Sequence, residues 1–174
     1  LVAGRLDRGI ESYQDDMEQV TLRLIINDIC DKLAYMDTDF SSRVKIDCKI
    51  ELKLLSSREA LLLIISNLLE NALKYSGSGS PIRIIAGIED DQILISISDK
   101  GIGLDNREKR RIFKMFHRAD SAEKKAIPGT GLGLFIVKSA TKALGGKVWA
   151  ESLGRGHGTT FFVSLPLLEL ENVK

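Results

Sequence analysis

The feature that most constrains the fold is an unusually apolar helix, predicted over residues 57–75. It contains the longest unbroken apolar run of the chain, the six residues from Ala60 to Ile65. A helix that is hydrophobic around most of its circumference has to be covered on several sides, and six residues are far fewer than the ~20 that a membrane-spanning helix requires. The helix is therefore predicted to pack against a sheet. Ser56 and Glu59 predict a capping box at its start.

The other hydrophobic patterns predict a small α+β domain. Helical periodicity covers residues 21–36 and 132–144, and a short charged helix follows Gly103. Strands are predicted over 18–20, 44–52, 82–88, 92–99, 147–151 and 159–165, with a hairpin turn at 89–91. The fold expected from these elements is a two-layer α/β sandwich, in which about five strands form a mixed sheet and three main helices lie on one face.

Length and charge narrow the function classes. The 174 residues favour one domain, which we expect to span residues 17–167, between a linker or remnant of an upstream helical hairpin (1–16) and a C-terminal tail (168–174). Lys and Arg total 25 and Asp and Glu 24, so no net field attracts nucleic acid or a membrane surface. Cys30 and Cys48 lack metal-ligand spacing and suggest a reducing compartment, hence the cytoplasm. The start at Leu1 suggests a piece of a longer protein.

A narrow polar stripe interrupts the apolar helix. At about 100° per residue, Asn67, Asn71 and Lys74 fall within an arc of about 60°, with Glu70 at its edge. One interpretation is a solvated helix edge. The other is a metal and phosphate site, because carboxamide oxygens are hard neutral ligands suited to Mg²⁺.

A carboxylate stands at the end of a predicted strand. By strand parity, Asp99 shares the face of Ile93, Ile95 and Ile97, which points toward the core. It either begins an ordinary turn or accepts a hydrogen bond from the exocyclic amine of adenine, a contact that would reject guanine. Gly101 and Gly103 would allow the backbone to approach a base closely.

Two glycine-rich segments follow later in the chain. The first, 129–133, reads Gly-Thr-Gly-Leu-Gly and leads directly into a helix, so it is either a flexible turn or an anion site at the helix N-terminus. It matches neither a Walker P-loop nor a dinucleotide fingerprint. The second, 154–158, reads Gly-Arg-Gly-His-Gly and is typical of a hairpin turn.

Taken in order, these motifs resemble the catalytic, ATP-binding domain of sensor histidine kinases. The residues that carry the resemblance are NLLENALKYS (67–76), DKGIGL (99–104), FKMFHR (113–118), PGTGLGL (128–134) and GRGHGT (154–159). The five motifs occur in the same order between residues 67 and 159. The resemblance implies the Bergerat-type fold shared by gyrase, mismatch-repair and heat-shock-chaperone ATPases, with ATP and Mg²⁺ as ligands.

The resemblance also assigns expected roles. It implies that Asn71 is the main Mg²⁺ ligand, assisted by Asn67, that Lys74 reaches the phosphates, and that Asp99 binds adenine. The other positions implied to contact ATP are Tyr75, Gly101, Gly103, Gly129, Thr130, Gly131, Leu132, Gly133 and Thr159.

The same resemblance implies an ATP lid over about 114–130. Phe113 and Phe116 would form the hydrophobic pair that anchors it, and Arg118 would reach the γ-phosphate or the partner domain. Lys124 and Lys125 lie within the lid and either touch phosphate or are simply solvated.

Neither histidine of this chain lies in the sequence context expected of the kinase's phosphate acceptor. Histidine kinases of this kind phosphorylate a histidine on a separate dimeric helical hairpin, whereas His117 and His157 lie in a lid motif and a glycine turn. We therefore expect ATP binding without autophosphorylation. We also expect slow hydrolysis, because Asn67 stands where hydrolytic relatives carry a glutamate and an amide is no general base.

Three functions remain open on the sequence. The first is a sensor-kinase catalytic domain that works with its own hairpin and a downstream response regulator. The second is a serine-directed kinase of the same fold, as in anti-sigma factors or mitochondrial dehydrogenase kinases, and the third is a non-catalytic nucleotide-binding module. The fragment is expected to be monomeric, with no nucleic-acid partner and no direct membrane contact.

Overall fold

A computed structural model describes residues 13, 16–35, 39–118 and 129–167. The described part contains five helices, α1 (Leu22–Ala34), α2 (Phe40–Arg43), α3 (Arg58–Tyr75), α4 (Asn106–Lys109) and α5 (Gly133–Ala143). Its seven strands are β1 (Met17–Thr21), β2 (Val44–Cys48), β3 (Lys53–Ser57), β4 (Ile82–Glu89), β5 (Gln92–Ser98), β6 (Lys147–Glu151) and β7 (Thr160–Pro166). Most of the predicted linker, the C-terminal tail and most of the lid lie outside the described residues.

Five of the strands form one mixed sheet in the order β2-β4-β5-β7-β6. Strand β2 runs parallel to β4, and the other neighbours are antiparallel. Strands β4 and β5 are joined by a two-residue turn at Asp90 and Asp91, whose φ angles are 47° and 57°. Positive φ at both central residues gives this turn the twist that a tight hairpin requires.

The apolar helix α3 lies in the interior, as predicted. Its residues Leu61, Ile64, Ile65, Leu68 and Leu69 are almost fully buried. They belong to the same core as the alternating sheet residues Ile82, Ile84, Ile93, Ile95, Ile97, Val163 and Leu165. The long helices α1, α3 and α5 cover one face of the sheet, so the predicted two-layer α+β sandwich is confirmed.

The structure corrects two predictions near the start of α3. The strand predicted over 44–52 ends at Cys48, and β3 begins at Lys53 and pairs with β1 in a separate two-stranded sheet. The predicted capping box is also wrong by one residue. Ser56 lies in β3 opposite Glu18, and Ser57 is the N-cap, accepting a hydrogen bond from the Ala60 amide at 3.3 Å.

The two cysteines are buried thiols rather than a reactive pair. Burial raises the pKa of Cys30 to about 11 and also raises the pKa of Cys48. Both therefore remain protonated near neutral pH and act as small core residues. Within the described ranges, no helix is long and apolar enough to cross a membrane.

Candidate functional site

One cavity of about 270 Å³ opens between α3, the end of β5 and the segment that leads into α5. The sequence-predicted residues that line it are Asn67, Asn71, Lys74, Tyr75, Asp99, Gly103, Arg118, Gly129, Thr130, Gly131, Leu132, Gly133 and Thr159. These residues come from five separate stretches of the chain. Of the predicted ATP-binding residues, Gly101 alone does not line the cavity. It lies against the Tyr75 carbonyl, and its amide donates to Asp99 Oδ1.

The polar stripe of α3 forms one wall of the cavity. The Asn67 side chain donates from Nδ2 to the Leu63 carbonyl at 2.7 Å, which fixes the amide and leaves Oδ1 on the other side. That oxygen lies beside the first residue of α5, since a methyl group added at Gly133 would come within 2.8 Å of it. A neutral oxygen held in this way is a suitable donor for a hard cation.

Lys74 brings a positive charge to the same wall. Its Nζ lies 5.1 Å from the centroid of the Tyr75 ring. It also lies directly against Gly129, where any side chain would overlap it. The ammonium group and the glycine run are therefore neighbours across the cavity.

Asp99 also lines the cavity and is only 6% exposed. Its Oδ1 accepts hydrogen bonds from the amides of Gly101 at 2.7 Å and Thr159 at 3.3 Å. Among the described residues, no hydrogen bond reaches Oδ2. Burial raises the pKa of Asp99, and the two amide hydrogen bonds oppose that shift only in part. The site thus holds an oriented carboxyl with one oxygen available to a ligand.

The two glycine-rich turns hold Asp99 in place through backbone contacts. Gly103 has φ +66° and lies against the carbonyl of Gly154, and Gly158 has φ +72° and lies against the backbone of Asp99. The amide of Gly158 donates to the carbonyl of Gly101 at 3.1 Å. A side chain at Gly103 or Gly158 would separate the turns, so the 154–158 segment supports the site as well as joining two strands.

A buried glutamate, which sequence reasoning missed, supports the same region. Glu108 is 4% exposed and forms a true capping box with Asp105 at the start of α4. The Arg155 guanidinium donates to both carboxylates at 3.2 Å and so ties α4 to the 154–158 turn. Hydrogen bonds, first that of the Glu108 amide, lower the pKa of Asp105. The Asp-x-x-Glu pattern at 105–108 is the sequence signal that could have predicted this capping box.

The two phenylalanines of the predicted lid anchor lie in different environments. Phe113 packs edge-on against Phe161 of β7, with the ring centroids 6.3 Å apart and the planes at 89°. Most of the lid lies outside the described residues, so the anchoring role of the pair stays a prediction. Phe116 is 69% exposed and has φ +58°. Its backbone lies against Gly131. Lys124 and Lys125 lie outside the described residues.

The two histidines differ in position. His117 lines the cavity, where the sequence analysis assigns it no role. His157 is exposed, and its Nδ1 lies 3.0 Å from the Arg155 carbonyl oxygen. Glu70 also reaches the cavity wall but is exposed. The remaining walls are apolar and include Leu63, Ile102, Leu104, Ile112, Ile136 and Phe161, which hydrophobic patterning identifies as core residues without indicating a ligand.

Sequence comparison links the chain to nucleotide-dependent enzymes. A family model described as Histidine kinase-, DNA gyrase B-, and HSP90-like ATPase matches residues 56–169. Sensor histidine kinase WalK of Bacillus subtilis is 38% identical over 108 residues, which cover 61% of this chain and 18% of WalK. Sensor-like histidine kinase SenX3 of Mycobacterium tuberculosis is 31% identical over 155 residues, which cover 88% of this chain and 37% of SenX3. The chain thus spans less than two-fifths of these curated relatives.

Structure comparison gives the same fold. A mycobacterial sensor histidine kinase, MprB, superimposes with a TM-score of 0.72 at 23% identity, covering 86% of this chain and 97% of that structure. The catalytic domain of histidine kinase ThkA superimposes with a TM-score of 0.72 at 21% identity, covering 87% and 95%. At these identities the likeness establishes the architecture.

Proposed function

Because this chain belongs to the histidine kinase-, DNA gyrase B- and HSP90-like ATPase family, we propose that it is the ATP-binding catalytic domain of a two-component sensor histidine kinase. In this role it transfers the γ-phosphate of ATP to a histidine on a separate helical hairpin. The observation that carries the proposal is the single cavity that joins the Asp99 carboxyl to the carboxamides and ammonium of α3. One end suits a base and the other suits phosphates.

Asp99 binds the adenine. Its Oδ2 is available, while Oδ1 is held by two backbone amides, so the carboxylate presents an acceptor to the exocyclic amine. Guanine carries a carbonyl oxygen at that position, which would face the carboxylate and be repelled. Thr159 and the glycines at 101 and 103 set the shape of this end, and Tyr75 packs beside the nucleotide.

Lys74, Arg118 and the glycine run hold the phosphates. The ammonium of Lys74 lies against Gly129, and α5 begins at Gly133 with no side chain capping its first amides. Uncapped amides at a helix N-terminus attract anions. Phosphoryl transfer asks a protein mainly for positioning and charge neutralisation, and these groups supply both.

Asn71 and Asn67 would hold Mg²⁺. The fit rests on the fixed amide of Asn67, whose oxygen is left unused by its hydrogen bond to Leu63. When bound, Mg²⁺ would neutralise phosphate charge. Neither carboxamide can take a proton from water, which supports slow intrinsic hydrolysis. Steady-state turnover that is fast, and that falls on Glu70→Gln, would instead make Glu70 a general base.

The phosphate-accepting hairpin and the dimer that it forms belong to the parent protein, and the response regulator is a separate downstream partner. His117 sits in the cavity wall and His157 in an exposed turn, and neither occupies a helix of the kind that the family's acceptor does. The proposed division places the upstream hairpin before residue 17, and the domain alone is a monomer. The relatives' names, all sensor kinases, favour this assignment over a serine-directed kinase.

The test combines this domain with the parent's upstream helices and labelled ATP. The proposal predicts a phosphate on the hairpin that is stable to base and labile to acid. An acid-stable phosphate would instead support the serine-directed alternative. Failure of the domain to bind ATP, with or without Mg²⁺, would exclude both kinase assignments. Tight ATP binding without phosphate transfer would instead support a nucleotide-binding module.

A further inference from the structure

We propose that His117 is a nucleotide-binding residue that donates a hydrogen bond from Nε2 to the phosphate chain. This inference rests on the proposed function, because it names an additional contact in the same cavity. It concerns a side chain that neither the motif comparison nor the Mg²⁺ and adenine assignments require.

The backbone around His117 fixes where its side chain lies. The amide of His117 donates to the carbonyl of Lys114 at 3.2 Å, which closes a tight turn. Phe116, with φ +58°, turns the chain, and its ring remains exposed. A methyl group at Gly131 would come within 3.0 Å of the His117 carbonyl oxygen, so the turn lies directly against the glycine run. His117 is therefore placed beside the phosphate end of the cavity.

The imidazole holds an unsatisfied nitrogen. His117 Nε2 is shielded from solvent and has no hydrogen-bond partner among the described residues. A buried polar atom without a partner destabilises the state that contains it. In the ligand-free protein, the wall of the cavity thus keeps a polar atom that a ligand can satisfy.

The neighbouring groups identify the chemistry of that ligand. The glycine run and Arg118 share this part of the wall, and Lys74 lies against Gly129. All of these groups favour anions. A donor among cationic and amide groups has phosphate oxygens as its natural acceptor. The ligand class is therefore a nucleoside polyphosphate, and the contact is absent for a nucleoside.

The experiment compares His117→Phe, which removes the nitrogen, with His117→Gln, which keeps an N–H donor at a similar reach. His157→Phe is the matched control, because it makes the same change in the exposed turn. Affinities for ATP and for adenosine are measured by calorimetry in the same Mg²⁺ buffer, and thermal melts are recorded without ligand.

We expect His117→Phe to weaken ATP binding by about 5- to 150-fold, the factor associated with one unpaired buried group. Adenosine affinity should not change, His117→Gln should recover most of the ATP affinity, and ligand-free His117→Phe should melt no earlier than the parent. Equal ATP affinity in parent and His117→Phe would overturn the inference while leaving the proposed function intact. An equal loss for adenosine would also overturn it, as would acid-labile phosphate on His117 itself. A parent domain that binds no ATP would instead refute the proposed function.

Discussion

Replacing Asp99 by Asn separates the role of this carboxyl in binding from its role in folding. The substitution keeps the shape of the side chain, and the amide oxygen can still accept the hydrogen bonds from Gly101 and Thr159. The other terminal atom changes from an acceptor to a donor. Adenine's amine would then face a donor, and neither group would be satisfied.

The magnitude follows from that mismatch. Leaving a buried partner unpaired costs about 1–3 kcal/mol, so ATP affinity should fall by about 5- to 150-fold. Preference for ATP over GTP should also fall, because the new N–H can donate to the guanine carbonyl. The thermal stability of Asp99→Asn, in contrast, should not fall. The raised pKa of Asp99 means that burial disfavours its charged form, so the uncharged Asn should leave the melting temperature equal or higher near pH 7.

The assay is a calorimetric titration with ATP and with GTP, paired with a thermal melt of each variant. Asp91→Asn is the control, because it removes the same charge from the exposed β4–β5 turn, where positive φ also tolerates Asn. Unchanged ATP affinity in Asp99→Asn would refute the base-binding role. A large drop in the melting temperature of Asp99→Asn would refute the claim that burial of this carboxylate destabilises the folded state.

Four further predictions concern the same cavity. As pH falls through the raised pKa of Asp99, ATP binding to the parent should weaken because the carboxylate is lost, and binding to Asp99→Asn should lack this step in a pH series of titrations. Over the window from the ordinary pKa of Asp up to that raised value, folded protein holds more protons than unfolded protein, so stability should decrease as pH rises, as denaturant melts can check. Gly133→Ala places a methyl group 2.8 Å from Asn67 Oδ1 and should weaken ATP binding in Mg²⁺ more than adenosine binding. Asn71→Ala should do the same by removing a metal ligand, and an equal loss for adenosine would indicate misfolding in either variant.

The helical period of α3 and the alternation of side chains along β5 were enough to predict much of the site. The 3.6-residue period placed Asn67, Asn71 and Lys74 on one stripe, and all three line the cavity. The alternation of β5 placed Asp99 on the inner face, where it is buried. Both predictions are correct because they depend only on geometry within one helix or one strand. The spacing of residues in such an element determines which side chains share a face.

Some features were missed because they depend on contacts between distant segments, and others because the local sequence carries no marker for them. Hydrophobic patterning could not reveal that the 154–158 turn packs backbone-to-backbone on residues 99–103, some 50 positions earlier. The exposure of Phe116 and its positive φ were not predicted, because residue type alone does not indicate either property. The boundary between β2 and β3 was missed because residues 49–52 contain apolar side chains and no glycine or proline to mark the turn.

The central claim is that one nucleotide reaches from Asp99 to the carboxamides of α3. A crystal structure of this chain with Mg²⁺ and a non-hydrolysable ATP analogue tests it directly. We predict the adenine amine within about 3 Å of the Asp99 carboxyl and the metal on the side-chain oxygen of Asn71. An analogue bound elsewhere, or one that meets either group but not the other, would contradict the account.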